Sequence, residues 1–209
     1  MRPSDDVVCA ILAAGRSSRM GAPKALVEFG GERALARVLR LARAGGLRAL
    51  VVLGFDEAAI RAGVELGDAR VVVNPAPGRG QSSSVRLAAQ ALGAGESLAL
   101  WPVDHARVHE ATLAHLVAAF RTRPAGIELV VPAHRGRRGH PLLVAAGAVR
   151  ELAALADDEP AHVVVRRDPR RVLHLPVEDP MVVADFDRPE DLAEGGERRP
   201  APPGPEPAR

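Results

Sequence analysis

Tyrosine is absent from this chain of 209 residues, tryptophan occurs once and phenylalanine four times. With so few rings, aromatic stacking cannot be a main binding device, which argues against a single-strand nucleic-acid binder. Hydrophobic residues still make up 47%, so a sizeable core is available, built from Ala, Val and Leu. There is one cysteine, Cys9, inside the apolar run Val7-Val8-Cys9-Ala10-Ile11-Leu12. No disulfide framework is possible, and a buried thiol in a reducing, cytoplasmic compartment is expected. No run approaches the roughly 20 apolar residues of a membrane helix. Asp5 and Asp6 precede a short apolar stretch that ends at Gly15-Arg16, a poor pattern for a secretory signal. An excess of one charge is also missing. The 28 basic and 26 acidic residues nearly balance, and the arginines are scattered rather than gathered into a nucleic-acid stripe.

Short Val/Leu/Ile runs alternate with amphipathic segments, the pattern of a mostly parallel sheet flanked by helices. Strands are expected over 7–12, 49–53, 70–73, 98–101 and 128–131. Helices are expected over 34–44, 57–64, 85–92 and 110–120. The first of these helices puts Leu35, Val38, Leu39 and Ala42 on one face. After residue 132 the pattern changes to a loop or hairpin rich in Arg and Gly that feeds an extended segment. Helical pieces follow over 147–156 and 161–167, then extended pieces over 171–175 and 181–184. The fold class is therefore α/β, a single domain over 1–194 with a mostly parallel sheet flanked by helices. Residues 195–209 hold five prolines and few apolar groups, the composition of a disordered tail.

The segment after the first strand reads Leu12-Ala13-Ala14-Gly15-Arg16-Ser17-Ser18-Arg19-Met20-Gly21-Ala22-Pro23-Lys24. A loop at the carboxyl end of a strand is where open α/β sheets bind ligands. Ala13, Ala14, Gly15 and Gly21 let backbone N–H groups approach phosphate oxygens, and Arg19 and Lys24 supply countercharge. Gly21 is followed by Ala22-Pro23-Lys24 rather than Lys-Ser/Thr, so this is no Walker A loop. The dinucleotide fingerprint is missing there too, and at Gly78-Arg79-Gly80 its third glycine is replaced by Ser83. Lys24 is the only lysine among the 28 basic residues. That choice suggests a point charge on a flexible stem rather than a planar fork, although a chance surface lysine is the plain alternative.

The opening motif resembles L-A-A/G-G-x-S-x-R-M-G-x-x-K of the molybdenum-cofactor nucleotidyltransferases, within the sugar-nucleotide pyrophosphorylase-like enzymes. Further blocks follow in the same order: Asn74-Pro75, the run from Gly80 to Arg86, Val103-Asp104, Gly139-His140-Pro141, and Asp185-Phe186-Asp187-Arg188-Pro189-Glu190-Asp191-Leu192. The resemblance spans about residues 7–193. It implies a Rossmann-like sheet and a Mg²⁺-dependent transfer of a nucleoside monophosphate from a triphosphate to a phosphorylated acceptor. Lys24, Arg19 and Asp104 would then be catalytic. Nucleotide would be bound by Leu12, Ala13, Ala14, Gly15, Lys24, Asn74, Gly80, Ser82 and Ser83. His140 would meet the acceptor. Asp104 and Asp185 would hold the metal, a donor set that suits Mg²⁺, which takes one or two carboxylates plus phosphate oxygens and water. Guanylyl-transferring relatives read L-A-G-G with an acidic residue before the lysine. Ala14 and Pro23 instead resemble the cytidylyl branch, which implies CTP as donor, a phosphorylated molybdopterin as acceptor, and a hydroxylase-type molybdoenzyme as recipient.

Other readings stay open at this level. Asp104 also suits a helix cap, and Asp187, Glu190 and Asp191 suit an acidic helix start with Pro189 in its first turn. His105 and His109, four apart, with His115 farther on, could meet as zinc ligands. The basic run from His134 to His140 fits either a solvated loop or acceptor recognition. Ala106 and Arg188 depart from the family's usual Pro and Thr. A sibling enzyme with another base or acceptor, or a non-catalytic cofactor-binding chaperone, would share many of these features. The tail composition generates one expectation directly: deleting 196–209 leaves melting temperature and turnover unchanged, and a melting temperature several degrees lower in the truncated chain contradicts it.

Overall fold

The computed structural model describes residues 6–156 and 159–192. At the centre lies β1 (Val7–Ala13), all seven residues of which are buried. A two-strand hairpin follows, β2 (Glu28–Phe29) with β3 (Glu32–Arg33), and leads into α1 (Ala34–Ala44). Then come β4 (Arg48–Leu53), α2 (Glu57–Gly63), β5 (Arg70–Val73) and α3 (Gln81–Gln90). The chain continues through β6 (Ser97–Pro102), α4 (Glu110–Arg121), β7 (Leu129–His134), β8 (Arg137–Arg138) and β9 (Leu142–Val144). It closes with α5 (Ala146–Ala153), α6 (His162–Arg167) and β10 (Val172–Pro176).

The main sheet runs β10-β7-β9-β6-β1-β4-β5, with β8 paired to β7. All its pairings are parallel except those of β9 with β6 and β7 and of β8 with β7. This is the expected α/β architecture, a mostly parallel sheet flanked by helices. Strands buried on both faces cannot alternate apolar and polar residues, which is why β1 reads as a continuous apolar run. Its odd residues Val7, Cys9, Ile11 and Ala13 pack with α1 and α4, and its even residues Val8, Ala10 and Leu12 pack with α3 and α5. The large rings Trp101, Phe120 and Phe186 all lie in the first layer; the second contains only aliphatic side chains. Burial pushes the Cys9 thiol up to about 12, so it stays protonated and inert.

Two local expectations needed revision. The helix expected from residue 85 starts at Gln81, because Ser83 and Ser84 are buried beneath its first turns and do not form a loop. The extended piece expected over 181–184 is a 3₁₀ turn, Pro180–Val183. Proline pre-sets its first residue, and the Asp179 carboxylate accepts the Met181 N–H at 2.9 Å. The basic run from His134 to His140 forms the β7–β8 hairpin, turning at Arg135 (φ 47) and Gly136 (φ 77). The tail expected over 195–209 lies outside the described residues. Among the described residues no helix is long and apolar enough to cross a membrane.

One glycine fixes how the loop after β1 sits. A Cβ on Gly54 would lie 2.6 Å from the Ala14 carbonyl oxygen and 2.9 Å from its Cβ, whereas one on Gly15 meets nothing within 4 Å. Gly54→Ala should therefore cost about 1–3 kcal/mol of stability by overpacking, and Gly15→Ala should stay within about 0.5 kcal/mol. Urea denaturation of the two variants checks this, and equal midpoints would contradict the close approach of the two loops.

Candidate active site

The sheet reverses its winding between β1 and β6, because the chain goes from β1 to β4 and β5 on one side and then crosses to β6 on the other. Open α/β sheets form their ligand crevice at such a point, beyond the strands' carboxyl ends. A cleft of about 360 Å³ lies there. One wall is the loop from Leu12 to Lys24; the opposite wall is Pro102, Val103 and Asp104 together with Asp187. The N-terminal turn of α3 closes a third side through Gly80, Gln81 and Ser84, adding the positive end of a helix dipole.

Each cleft side chain is placed by specific hydrogen bonds or backbone turns. Ser17 adopts φ 50, a region that few L-residues enter. Its carbonyl accepts the Met20 N–H and its hydroxyl accepts the Lys24 N–H, both at 3.0 Å. Lys24 then opens a 3₁₀ turn whose next residue, Ala25, is buried. Asp104 sits in the 3₁₀ turn after β6, held by a hydrogen bond from Trp101 Nε1 to the His105 carbonyl at 3.1 Å. Gly80 has φ 88 and ψ 176, a combination essentially confined to glycine. The segment carrying Asp187 is pinned three times: Phe186 is fully buried, its N–H donates to the Asp104 carbonyl at 3.2 Å, and the Asp191 carboxylate accepts the Asp187 N–H at 2.7 Å.

At the base of the cleft Lys24 Nζ lies 2.9 Å from Asp104 Oδ2 and 2.5 Å from Asp187 Oδ1. Arg19 Nη1 meets the other Asp187 oxygen at 2.9 Å. Burial pulls the Lys24 ammonium toward its neutral form, but the charges and hydrogen bonds of Asp104 and Asp187 outweigh it and hold its pKa above the ordinary lysine value. Lys24 is accordingly a full positive charge. At the rim, the Arg16 guanidinium stacks over the Phe55 ring, 4.3 Å from its centroid.

Most of the expected site residues converge. Leu12, Ala13, Ala14, Gly15, Arg19, Lys24, Gly80 and Asp104 all line the cleft. Five others, Asn74, Ser82, Ser83, Asp185 and His140, stand elsewhere. Asn74 is buried and donates from Nδ2 to Ser83 Oγ at 2.8 Å and to Ser84 Oγ at 3.0 Å. Asn74 and Ser83 thus support the turn into α3 from behind rather than facing the cleft. The Ser82 hydroxyl accepts the Ala161 N–H at 2.9 Å and borders a second cavity of about 330 Å³. Asp185 is not in the cleft wall; Asp187 is. With Phe186 anchored on Asp104, Asp185 acts on His105 and Asp187 reaches Lys24. Asp187 belongs to the same D-x-D block, where its residue type also suits a cap. Arg16, Ser17, Gln81 and Ser84 line the cleft as well.

His140 lines the second cavity, whose walls include Leu100, Val131, Leu142, Val144 and Val164 and which shares Gln81 with the cleft. Its ring packs on His105 at 4.9 Å between centroids, and its Nδ1 is buried without a hydrogen-bond partner among the described residues. Burial first, then the neighbouring His105, lowers its pKa to about 4. It is a neutral imidazole at pH 7. His109 instead turns to Asp179, with Nδ1 3.6 Å from Oδ1. Among the described residues no three His, Cys, Asp or Glu side chains converge as a metal cage, which leaves the zinc alternative without a site.

Known proteins share this fold. Rv0371c from Mycobacterium tuberculosis H37Rv is similar at 29% identity, covering 89% of this chain and 95% of that one, with a TM-score of 0.75. The same protein has been solved in complex with manganese, with 27% identity over 90% of this chain and 96% of that one and a TM-score of 0.73. A nucleotidyl transferase from Methanothermobacter shares the fold at 22% identity, covering 90% and 94% of the two chains, with a TM-score of 0.75. No curated protein matches. Residues 9–173 match the family described as the MobA-like NTP transferase domain, and the chain belongs to that family of nucleotidyltransferases.

Proposed function

We propose that this chain is the cytidylyl-transferring member of the family, moving CMP from CTP onto a phosphorylated molybdopterin with release of pyrophosphate. The observation that carries the reading is the convergence of Lys24, Arg19, Asp104 and Asp187 at the base of a cleft walled by small residues. The loop from Leu12 to Gly15 and the α3 terminus at Gly80 and Gln81 would receive ribose and phosphates, because small side chains let backbone N–H groups approach. Arg16, Arg19 and Lys24 balance the triphosphate charge.

Asp104 and Asp187 are two carboxylates from different segments that already share one cation, the Lys24 ammonium, so their donor set fits Mg²⁺. The manganese complex of the mycobacterial relative is in keeping with a divalent ion. Mg²⁺ held there would supply Lewis-acid charge to the phosphate oxygens. An acceptor phosphate oxygen bonds to the α-phosphorus as the bond from that phosphorus to the α,β-bridging oxygen breaks, and pyrophosphate carries the electron pair away. The nucleophile is already anionic, so no general base is assigned. The second cavity, reached past Gln81, would take the body of the acceptor, with the neutral His140 ring offering its unpartnered Nδ1. The cytidylyl assignment rests on Ala14 and Pro23, which border the nucleotide cleft, and the handover to a molybdoenzyme follows from the product.

Two measurements test the reading. Asp104→Asn should lower pyrophosphate release about 10²–10³-fold, the cost of removing a transition-state electrostatic group, with little change in melting temperature. Lys24→Ala should be slower than Lys24→Arg, and both slower than the native enzyme. An Asp104→Asn variant retaining half of native turnover at saturating Mg²⁺ would sink the metal assignment.

The donor is tested by thermal shift. CTP with Mg²⁺ should raise the melting temperature more than GTP, ATP or UTP at equal concentration. A ligand at a hundredfold excess over its Kd contributes about 2.7 kcal/mol. A larger shift with GTP overturns the cytidylyl reading and leaves nucleotidyl transfer standing.

A further inference from the structure

We propose that Lys24 is a resident counter-ion: it keeps a divalent cation out of the Asp104–Asp187 pair until a triphosphate draws it away, so nucleotide and metal bind cooperatively. This rests on the assignment of those two carboxylates as the metal ligands.

The geometry is that of a placeholder. Lys24 Nζ stands 2.9 Å from Asp104 Oδ2 and 2.5 Å from Asp187 Oδ1, at the point where one cation would bridge both oxygens. Arg19 takes the remaining Asp187 oxygen at 2.9 Å. Two carboxylates are thus matched by two cations, and the cluster is formally neutral. A metal ion approaching the protein alone meets no net attraction and an ammonium already in the bridging position, repelled strongly at contact distance in a partly screened site. Two carboxylate oxygens alone are also few ligands for an ion that expects six, several of them phosphate oxygens or water.

A triphosphate changes the balance. It brings several negative charges into the cleft beside Lys24 and offers new acceptors for the ammonium protons. Transfer of Lys24 from carboxylate to phosphate then leaves Asp104 and Asp187 exposed to the metal that arrives with the nucleotide. The exchange gives a physical reason for the chain's only lysine. An arginine would grip a carboxylate through two parallel hydrogen bonds, whereas an ammonium on a flexible four-carbon stem re-aims its three donors one at a time. The two cations differ in freedom: the Lys24 side chain is 15% exposed and that of Arg19 65%, so Lys24 is the one that occupies the bridging position. By linkage, the metal must tighten nucleotide binding by the same factor as nucleotide tightens metal binding.

The test is Mn²⁺ titration of the nucleotide-free protein, followed by the electron paramagnetic resonance signal of free aqueous Mn²⁺. Lys24→Met and Lys24→Gln, each checked for a native-like melt, should bind Mn²⁺ at least tenfold more tightly than the native chain. Lys24→Arg should bind no more tightly than native. The gain should vanish when Asp104→Asn is added to Lys24→Met. If neither neutral variant binds Mn²⁺ more tightly than native, the counter-ion role is overturned, while the nucleotidyl-transfer reading, judged by turnover of Asp104→Asn, stands. A gain that survives Asp104→Asn places the cation elsewhere and overturns both the proposal and the metal assignment.

Discussion

The burial of β1 is the constraint from which the rest of the structure follows. It is hydrogen-bonded to β4 on one side and β6 on the other, and both its faces are covered. Only small and medium aliphatic residues fit such a position, and every backbone group within it is used by the sheet. The chain must therefore emerge at Ala14 beside the end of β6 and at the switch point of the sheet. The phosphate-type loop and Asp104 become neighbours because their strands are neighbours. Gly54, at the end of β4, completes the arrangement by letting the next loop pass against the Ala14 carbonyl.

On this frame the charged groups form a compact electrostatic unit. Lys24, Arg19, Asp104 and Asp187 come from three separate stretches of chain, and the backbone at Lys24, Asp104 and Asp187 is held by hydrogen bonds before any ligand is considered. A cluster that is balanced in the protein alone costs little to keep partly buried, since each charge has a partner. Phosphate charge added beside it would alter the partner preferred by each cation.

The unequal distribution of aromatic residues has a functional consequence. Trp101, Phe120 and Phe186 fill the layer beneath α1 and α4, where Phe186 and the Trp101 indole hold the Asp104 and Asp187 segments in place. The opposite layer is wholly aliphatic, and there the smaller side chains leave the second cavity between α3, α6 and the ends of the central strands. Its walls are largely branched aliphatic, with Arg138, His140, His162 and Arg166 adding polar and cationic groups.

The sequence by itself determined the α/β class, the position of the first four βα units, and the loop from Leu12 to Lys24, because short apolar runs, a 3.6-residue hydrophobic period and a run of small residues are local properties. It also marked Lys24 as chemically unusual, and the family resemblance singled out Asp104. The tertiary structure decided what depends on distance between remote segments. The resemblance implies nucleotide contact for Asn74 and Ser83, and in the fold they bond to each other at the start of α3. Asp185 and Asp187 are indistinguishable by type and spacing. Only the anchoring of Phe186 on the Asp104 carbonyl directs one toward His105 and the other to Lys24. Residue type sets which chemistry is available; which partner each group meets is set by packing between segments up to 163 residues apart, and no local pattern encodes that choice.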